Sequence, residues 1–212
     1  MKNYTDFAYT RFTKKRNYVW GRYTKFYRNK ISFKNKKVLD FGCGNILTSS
    51  TAKFFRDENG NLKGLYGYET DFKSKKILID NKLYFNFYSK KQKMFDIIVA
   101  NQVYEHLDSL ERIKFIKQSK KLLKKDGLLV VAFPFVLSNM NFKYFWEDIT
   151  HKPVGVEAEA GLIQSFGFNT DLYVGGLKGD PFGWFENILA IIRNLIVFMP
   201  PFWITLIIAK KR

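Results

Sequence analysis

The chain reads as an α/β protein built on a doubly wound, mostly parallel sheet. Three observations point there. Apolar runs of strand length alternate with longer stretches of helix length, as successive strand–helix–strand units require. The run Leu128-Leu129-Val130-Val131-Ala132-Phe133 is apolar throughout, as a central strand covered on both faces must be. The stretch Lys37-Val38-Leu39-Asp40-Phe41-Gly42-Cys43-Gly44-Asn45 leads a strand through two glycines toward a helix.

The elements follow in order. Residues 1 to about 30 form a basic, helical lead-in, with Val19, Tyr23 and Phe26 on one helical face. A strand is expected over 37–41 and a helix over 46–56, closed by the turn cluster Asp57-Glu58-Asn59-Gly60. A strand over 64–69, a helix over 72–81 and strands over 83–88 and 95–100 come next. Asp108 and Glu111 have capping-box spacing for a helix over 109–124, and Gly127 closes the turn after it. The apolar strand 128–133, a helix over 155–166 ending at Gly167, and a strand over 168–174 complete the regular pattern.

The tail needs its own argument. Leu195 to Ala209 is apolar but split by Pro200-Pro201, and it falls short of the ~20 residues of a membrane span. Trp203-Ile204-Thr205-Leu206-Ile207-Ile208-Ala209 therefore reads as the last strand. Residues 184–199 then form an apolar helical insertion, which suits a buried lid, a homodimer face or a helix lying on a membrane surface.

Composition narrows the function classes. A hydrophobic fraction of 46% is that of a folded chain, and 212 residues suit one domain with a single large core. One cysteine, Cys43, excludes an internal disulfide and fits a reducing compartment. No apolar stretch follows the first basic residues, so the expected location is cytoplasmic. The net charge is +17, with twelve Lys or Arg against Asp6 alone in residues 1–37, interleaved with aromatics. Such a stretch can grip nucleic acid or an anionic membrane, or pack as a solvated helix beside the sheet.

The glycine turn speaks to the ligand. A dinucleotide fingerprint would place a third glycine at position 47, where Leu47 stands. A ligand without a phosphate, such as S-adenosylmethionine, suits this turn better. Downstream, Gly64-Leu65-Tyr66-Gly67-Tyr68-Glu69 ends in a carboxylate 25 residues after Gly44, near the ~20-residue offset at which an acid reaches a ribose. Phe95-Asp96-Ile97-Ile98-Val99-Ala100-Asn101, then Val103-Tyr104-Glu105-His106-Leu107, and then the segment from Leu122 to Phe133 follow in turn.

In order and spacing these segments resemble the class I S-adenosylmethionine-dependent methyltransferases, closely over residues 36–135 and loosely elsewhere. The resemblance implies a Rossmann-like, seven-stranded sheet whose last strand is antiparallel, at the far side of the sheet. It divides a single domain, 1–212, into the lead-in to 35, a cofactor-binding core over 36–135 and an acceptor side over 136–212. It implies that Asp40, Gly42 and Gly44 line the amino-acid part of the cofactor, with Cys43 packed between the glycines. Glu69 would accept both ribose hydroxyls, and Asn101 would line the cofactor. The family's adenine-binding acid after the third strand is missing, and Asn86 is the nearest polar substitute.

Methyl transfer needs in-line alignment, and a hydroxyl acceptor gains from a general base. The chain has two histidines. His106 lies in the turn that the family places beside the cofactor, where it either holds the turn or takes part in chemistry. His151 lies in Glu147-Asp148-Ile149-Thr150-His151, which resembles an Asp-x-Thr-His element of members acting on surface-glycan sugars. His151 is the expected base, with Asp148 orienting it. Two histidines and no Cys pair offer no ligand spacing, so no metal is expected. The expected acceptor is a small-molecule hydroxyl, foremost a sugar in surface-polysaccharide assembly, carried on a lipid in one reading. RNA or lipid-quinone methylation, and a non-catalytic cofactor-binding scaffold, are the rival readings. A lipid-borne acceptor would go with peripheral contact at the inner face of a membrane through 184–199 and the basic end Lys210-Lys211-Arg212.

Overall fold

A computed structural model describes residues 30–43, 49–69, 86–87, 94–134, 151–174 and 204–212. The chain divides into two compact units, Met1–Gln92 and Lys93–Arg212. The lead-in to residue 29, the expected helix over 72–81 and the apolar insertion 184–199 lie outside the described residues.

In the first unit, β1 (Val38–Phe41) is followed by α1 (Ser50–Asn59), β2 (Leu65–Tyr68) and β3 (Asn86–Phe87). The strands lie in the order β3-β2-β1. β1 and β2 run parallel in register from Val38 opposite Leu65 to Phe41 opposite Tyr68, and β3 pairs parallel with β2. Parallel neighbours need a crossover, which α1 supplies between β1 and β2. Val38, Leu65, Phe54 and Phe55 are fully buried, and the Phe33 ring lies 4.6 Å from that of Phe54.

The helix runs farther than the turn cluster implied: Asp57, Glu58 and Asn59 are helical, and only Gly60, at φ +71°, turns the chain. Glu58 and Asn59 stay in the helix because their side chains hold the segment ahead of β1. The Glu58 carboxylate accepts from the Phe33 N–H and, at 3.2 Å, from Ser32 Oγ; the Asn59 amide donates to Phe33 O at 3.1 Å.

In the second unit, β4 (Phe95–Asn101) leads through a 3₁₀ turn (Tyr104–His106) into α2 (Ser109–Leu122) and β5 (Leu123–Pro134). Then come α3 (Val156–Ser165), β6 (Phe168–Val174) and β7 (Ile204–Lys211). The strands lie in the order β4-β5-β7-β6. β4 and β5 are parallel, while β7 runs antiparallel to both its neighbours. The last strand is thus antiparallel as expected, but it is inserted between β5 and β6 and does not form the outer edge. That position explains its composition. Thr205, Leu206, Ile207 and Ala209 are fully buried, so the apolar run serves a sheet interior. Among the described residues, no helix is long and apolar enough to cross a membrane.

Asp108 caps α2 as the spacing predicted: it accepts from Glu111 N, and Glu111 Oε2 accepts from Asp108 N, both at 2.8 Å. The far end of α2 differs. The helix ends at Leu122, and the register jumps from Phe95 opposite Leu123 to Ile97 opposite Leu128. The residue with positive φ in this jump is Asp126, at +60°, and not Gly127. Gly127 is there for space. A Cβ on it would meet Lys124 O at 3.0 Å, Leu123 Cδ2 at 3.1 Å and Asp96 O at 3.2 Å. Gly167, at φ +83°, does close α3, as predicted.

Gly127→Ala should destabilise the fold by about 1–3 kcal/mol in urea unfolding, since neither the backbone oxygens nor the strand can retreat easily. The Glu111 N–H donated to Asp108 holds its carboxyl below the usual range. A depressed folded value stabilises above the unfolded one, ~3.9, and the effect is lost as pH falls through the lower folded value. Asp108→Ala should therefore lower the urea midpoint at neutral pH, and the gap from wild type should narrow as pH drops below about 4.

Candidate active site

In the first unit, the chain leaving β1 is organised by one hydroxyl. Ser49 Oγ donates to Asp40 Oδ2 at 2.9 Å and accepts from Ala52 N at 3.1 Å. The same group therefore caps α1 and holds a carboxylate that is only 3% exposed. Gly42 sits at φ +67°, in the left-handed region where a side chain would be strained. Its N–H and that of Cys43 both donate to Tyr68 O, at 2.8 and 3.1 Å. This fork ties the turn to the end of β2, one residue before Glu69, which is half-buried. Cys43 is buried, consistent with a packing role. Gly44 lies outside the described residues, and Asn86 is placed only through its pairing opposite Tyr66.

In the second unit, Asn101 ends β4 half-buried, and Gln102, at φ +56°, turns the chain while its N–H donates to Ala132 O at 2.8 Å. The 3₁₀ turn that follows is anchored by Tyr104, which is fully buried. Its hydroxyl donates to Glu159 Oε2 at 2.8 Å, and Arg112 Nη1 donates to Glu159 Oε1 at 2.8 Å. The guanidinium also lies 5.3 Å from the centre of the Tyr104 ring. Burial, and then the Glu159 carboxylate, push the Tyr104 hydroxyl far above its ordinary value, so it remains a donor at any working pH. Sequence reading missed this triad. A signal was present: Glu159 falls on the same stripe of α3 as Val156, Ala160 and Ile163, and a carboxylate on a buried stripe needs partners.

The same turn carries Glu105 and His106. His106 and His151, 45 positions apart, meet with ring centroids 4.6 Å apart at an interplanar angle of 53°. The segment at His151 is fastened to the turn twice: Lys152 N donates to Glu105 O at 2.7 Å, and Lys152 Nζ donates to His106 O at 3.1 Å. Glu105 is 1% exposed, and one ligand-type atom from each of Glu105, His106 and His151 lies within 4.8 Å of the others. The fold thus joins both sequence-nominated histidines and adds Glu105, which the sequence reading passed over. It also supplies the three-donor cluster that local spacing did not suggest. Asp148 lies outside the described residues.

Breaking the buried pair with Arg112→Met should destabilise the protein by about 3–5 kcal/mol, because Glu159 keeps its charge without its cation. Tyr104→Phe should cost less, about 1–3 kcal/mol, as a single hydrogen bond to the same carboxylate is lost. Urea unfolding of both single variants and the double variant should show non-additive losses, because the two donors share one acceptor.

Comparison with known proteins bears on the family and the fold. Residues 12–166 match the family model described as a methyltransferase domain. A ubiquinone biosynthesis O-methyltransferase of Pelagibacter ubique is 33% identical over 103 residues. That match spans 47% of this chain and 42% of the relative, so the chain covers under half of that protein's length. Among solved structures, an S-adenosylmethionine-dependent methyltransferase of Archaeoglobus fulgidus aligns with a TM-score of 0.72 at 20% identity, over 99% of this chain and 100% of that one. A methyltransferase of Thermotoga maritima, described as a possible histamine N-methyltransferase, aligns with a TM-score of 0.67 at 15% identity, over 98% and 96%. With the motifs of β1 and β2 in place and the family model covering most of its length, the chain belongs to the methyltransferase domain family and has the Rossmann-like α/β fold of the S-adenosylmethionine-dependent enzymes.

Proposed function

We propose that the chain transfers the methyl group of S-adenosylmethionine to a hydroxyl of a small molecule. Family membership supports the cofactor and the reaction class. The residues of the first unit fit that cofactor. A buried carboxylate, Asp40, suits the amino-acid part, and the left-handed Gly42 lets the backbone approach a ligand that a Cβ would hold off. Glu69 offers an ionised acceptor for a cis-diol. Gly44, Cys43, Asn86 and Asn101 complete the proposed cofactor set by position in the motifs. When bound, the cofactor supplies a methyl group already activated as a sulfonium, so the protein's task is alignment and removal of the acceptor proton.

One observation carries the hydroxyl reading: the two histidines meet beside a buried glutamate. An amine arriving neutral needs no base in the transfer step, whereas a hydroxyl gains from one. His151 takes the acceptor proton in this reading, Glu105 and His106 stabilise the charge it gains, and Asp148 orients it. The Asp-x-Thr-His stretch favours a sugar hydroxyl, as in surface-polysaccharide assembly. The named activity of the Pelagibacter relative favours instead a phenolic hydroxyl of a quinone precursor. The single cysteine suits a cytoplasmic site of action, and peripheral attachment through 184–199 would suit a lipid-linked acceptor.

Transfer of labelled methyl groups to nucleotide sugars, demethylated quinone precursors and RNA separates these acceptors. The expected result is incorporation into the sugars or the phenols and none into RNA. His151→Ala should lower kcat roughly 10²–10⁴-fold while leaving cofactor affinity intact. Glu69→Ala should do the reverse. Calorimetric titration with the demethylated cofactor should show a loss of about 1.5–3 kcal/mol, or one to two decades in Kd. Equal affinity of the wild-type protein for NAD would defeat the cofactor reading.

A further inference from the structure

Both histidines of the chain stand in one cluster with Glu105, and no other histidine exists to compete with them. We propose that Glu105, His106 and His151 form a binding site for a first-row transition-metal dication. The donor set points to the class of ion. Two imidazoles and one carboxylate match Zn²⁺, Co²⁺, Mn²⁺ or Fe²⁺, whereas Mg²⁺ and Ca²⁺ favour oxygen donors alone. Burial points the same way. Glu105 is 1% exposed, and a carboxylate taken from water is stabilised by nearby positive charge, which a dication supplies at closest range. The imidazoles, at 4.6 Å between centroids, repel if both are protonated but can share an ion when both are neutral.

Preorganisation supports the site. The two segments that carry the donors are fastened by Lys152 at 2.7 Å through its N–H and 3.1 Å through its ammonium. Tyr104, one residue before Glu105, is locked to α3 through Glu159. These bonds hold the backbone of both segments, so closing on an ion falls to the side chains. Donor atoms now within 4.8 Å of one another would have to close to about 3.3 Å around a tetrahedral ion with bonds of about 2.0–2.1 Å. That is a shift of about 1–1.5 Å at the end of a side chain. Three protein ligands with His106 half-buried leave a coordination position open, the pattern of catalytic and not of structural sites. Its consequence for chemistry rests on the hydroxyl acceptor proposed for the reaction: in metal-loaded protein the ion would hold that hydroxyl as its alkoxide, with the proton passing to solvent water, and His151 would serve as base only in the metal-free protein. The binding itself does not rest on that acceptor.

Tag-free, full-length protein stripped with chelator and titrated with Co²⁺ tests the site. The expected result is visible absorption that saturates near one equivalent, with affinity at least about tenfold weaker in Glu105→Gln and His151→Asn. Thermal melts establish that each variant is folded. The wild-type chain gives a test that needs no variant: Co²⁺ should protect both imidazoles from diethyl pyrocarbonate. Failure to saturate by about 1 mM Co²⁺, unchanged affinity in both folded variants, or modification of both histidines at the metal-free rate would each overturn the proposal. Methyl transfer by metal-free protein separates the two ideas. Activity without Co²⁺ binding removes the metal site and keeps the hydroxyl reading. Saturable Co²⁺ binding without transfer to any hydroxyl keeps the metal site and removes that reading.

Discussion

The second unit is organised around one buried carboxylate. Glu159 lies on the inner stripe of an otherwise apolar helix face, with its side chain 11% exposed, and it is held by Arg112 from α2 and Tyr104 from the 3₁₀ turn. A carboxylate in that position has no low-energy alternative to these partners, because losing either leaves charge in a poor solvent. The pairing thereby fixes three elements relative to one another: the helix that carries Glu159, the helix that carries Arg112 and the short turn that carries Tyr104, Glu105 and His106. An apolar side chain at 159 would pack equally well and specify less. The gain lies in geometry, since hydrogen bonds of 2.8 Å on both oxygens set the turn's orientation in a way that dispersion contacts alone do not.

The first unit solves a similar problem with less material. Parallel β1 and β2 leave their C-terminal ends side by side, and the chain must turn sharply there without a side chain in the way. Gly42 provides the left-handed step, and two successive N–H groups share Tyr68 O. Ser49 then links the carboxylate of β1 to the start of α1 with a hydroxyl that donates to one and accepts from the other. Glu69 follows directly on the carbonyl that receives the fork. The spacing of the turn and the acid along the sequence is thus the consequence of one crossover connection between two paired strands.

Much of this was legible in the sequence where a local rule applied. The apolar run of β5, the capping box at Asp108 and Glu111, and the helix and strand around Gly167 all follow from residues within a few positions of one another. The end of α2 was misread for an instructive reason. Gly127 was read as closing the turn, but Asp126 takes the positive φ there and glycine is demanded by the crowding of Lys124 O and Asp96 O. The distinction depends on a neighbouring strand that no local pattern contains. β7 was recognised as a strand from Pro200-Pro201 and from its length, while its place between β5 and β6 depends on pairing with both. The candidate site divides in the same way. Gly42 and Glu69 were visible as motif positions, whereas Glu105 and Glu159 acquire meaning only from partners dozens of residues away.

The meeting of His106 and His151 shows how a small alphabet of chemistry can still build a site. With two histidines in 212 residues, chance would seldom bring both rings to 4.6 Å. The contact follows from constraints already present. Tyr104 is anchored by Glu159, which fixes the direction in which Glu105 and His106 leave the turn. Lys152 is the neighbour of His151, and by donating its N–H to Glu105 O and its ammonium to His106 O it sets the approach of the second ring. Replacing the lysine would remove one of those bonds and leave the other, because the amide bond belongs to the backbone. The approach of the two rings is therefore specified by backbone hydrogen bonding and one buried ion pair, which act on the segments that carry the reactive side chains.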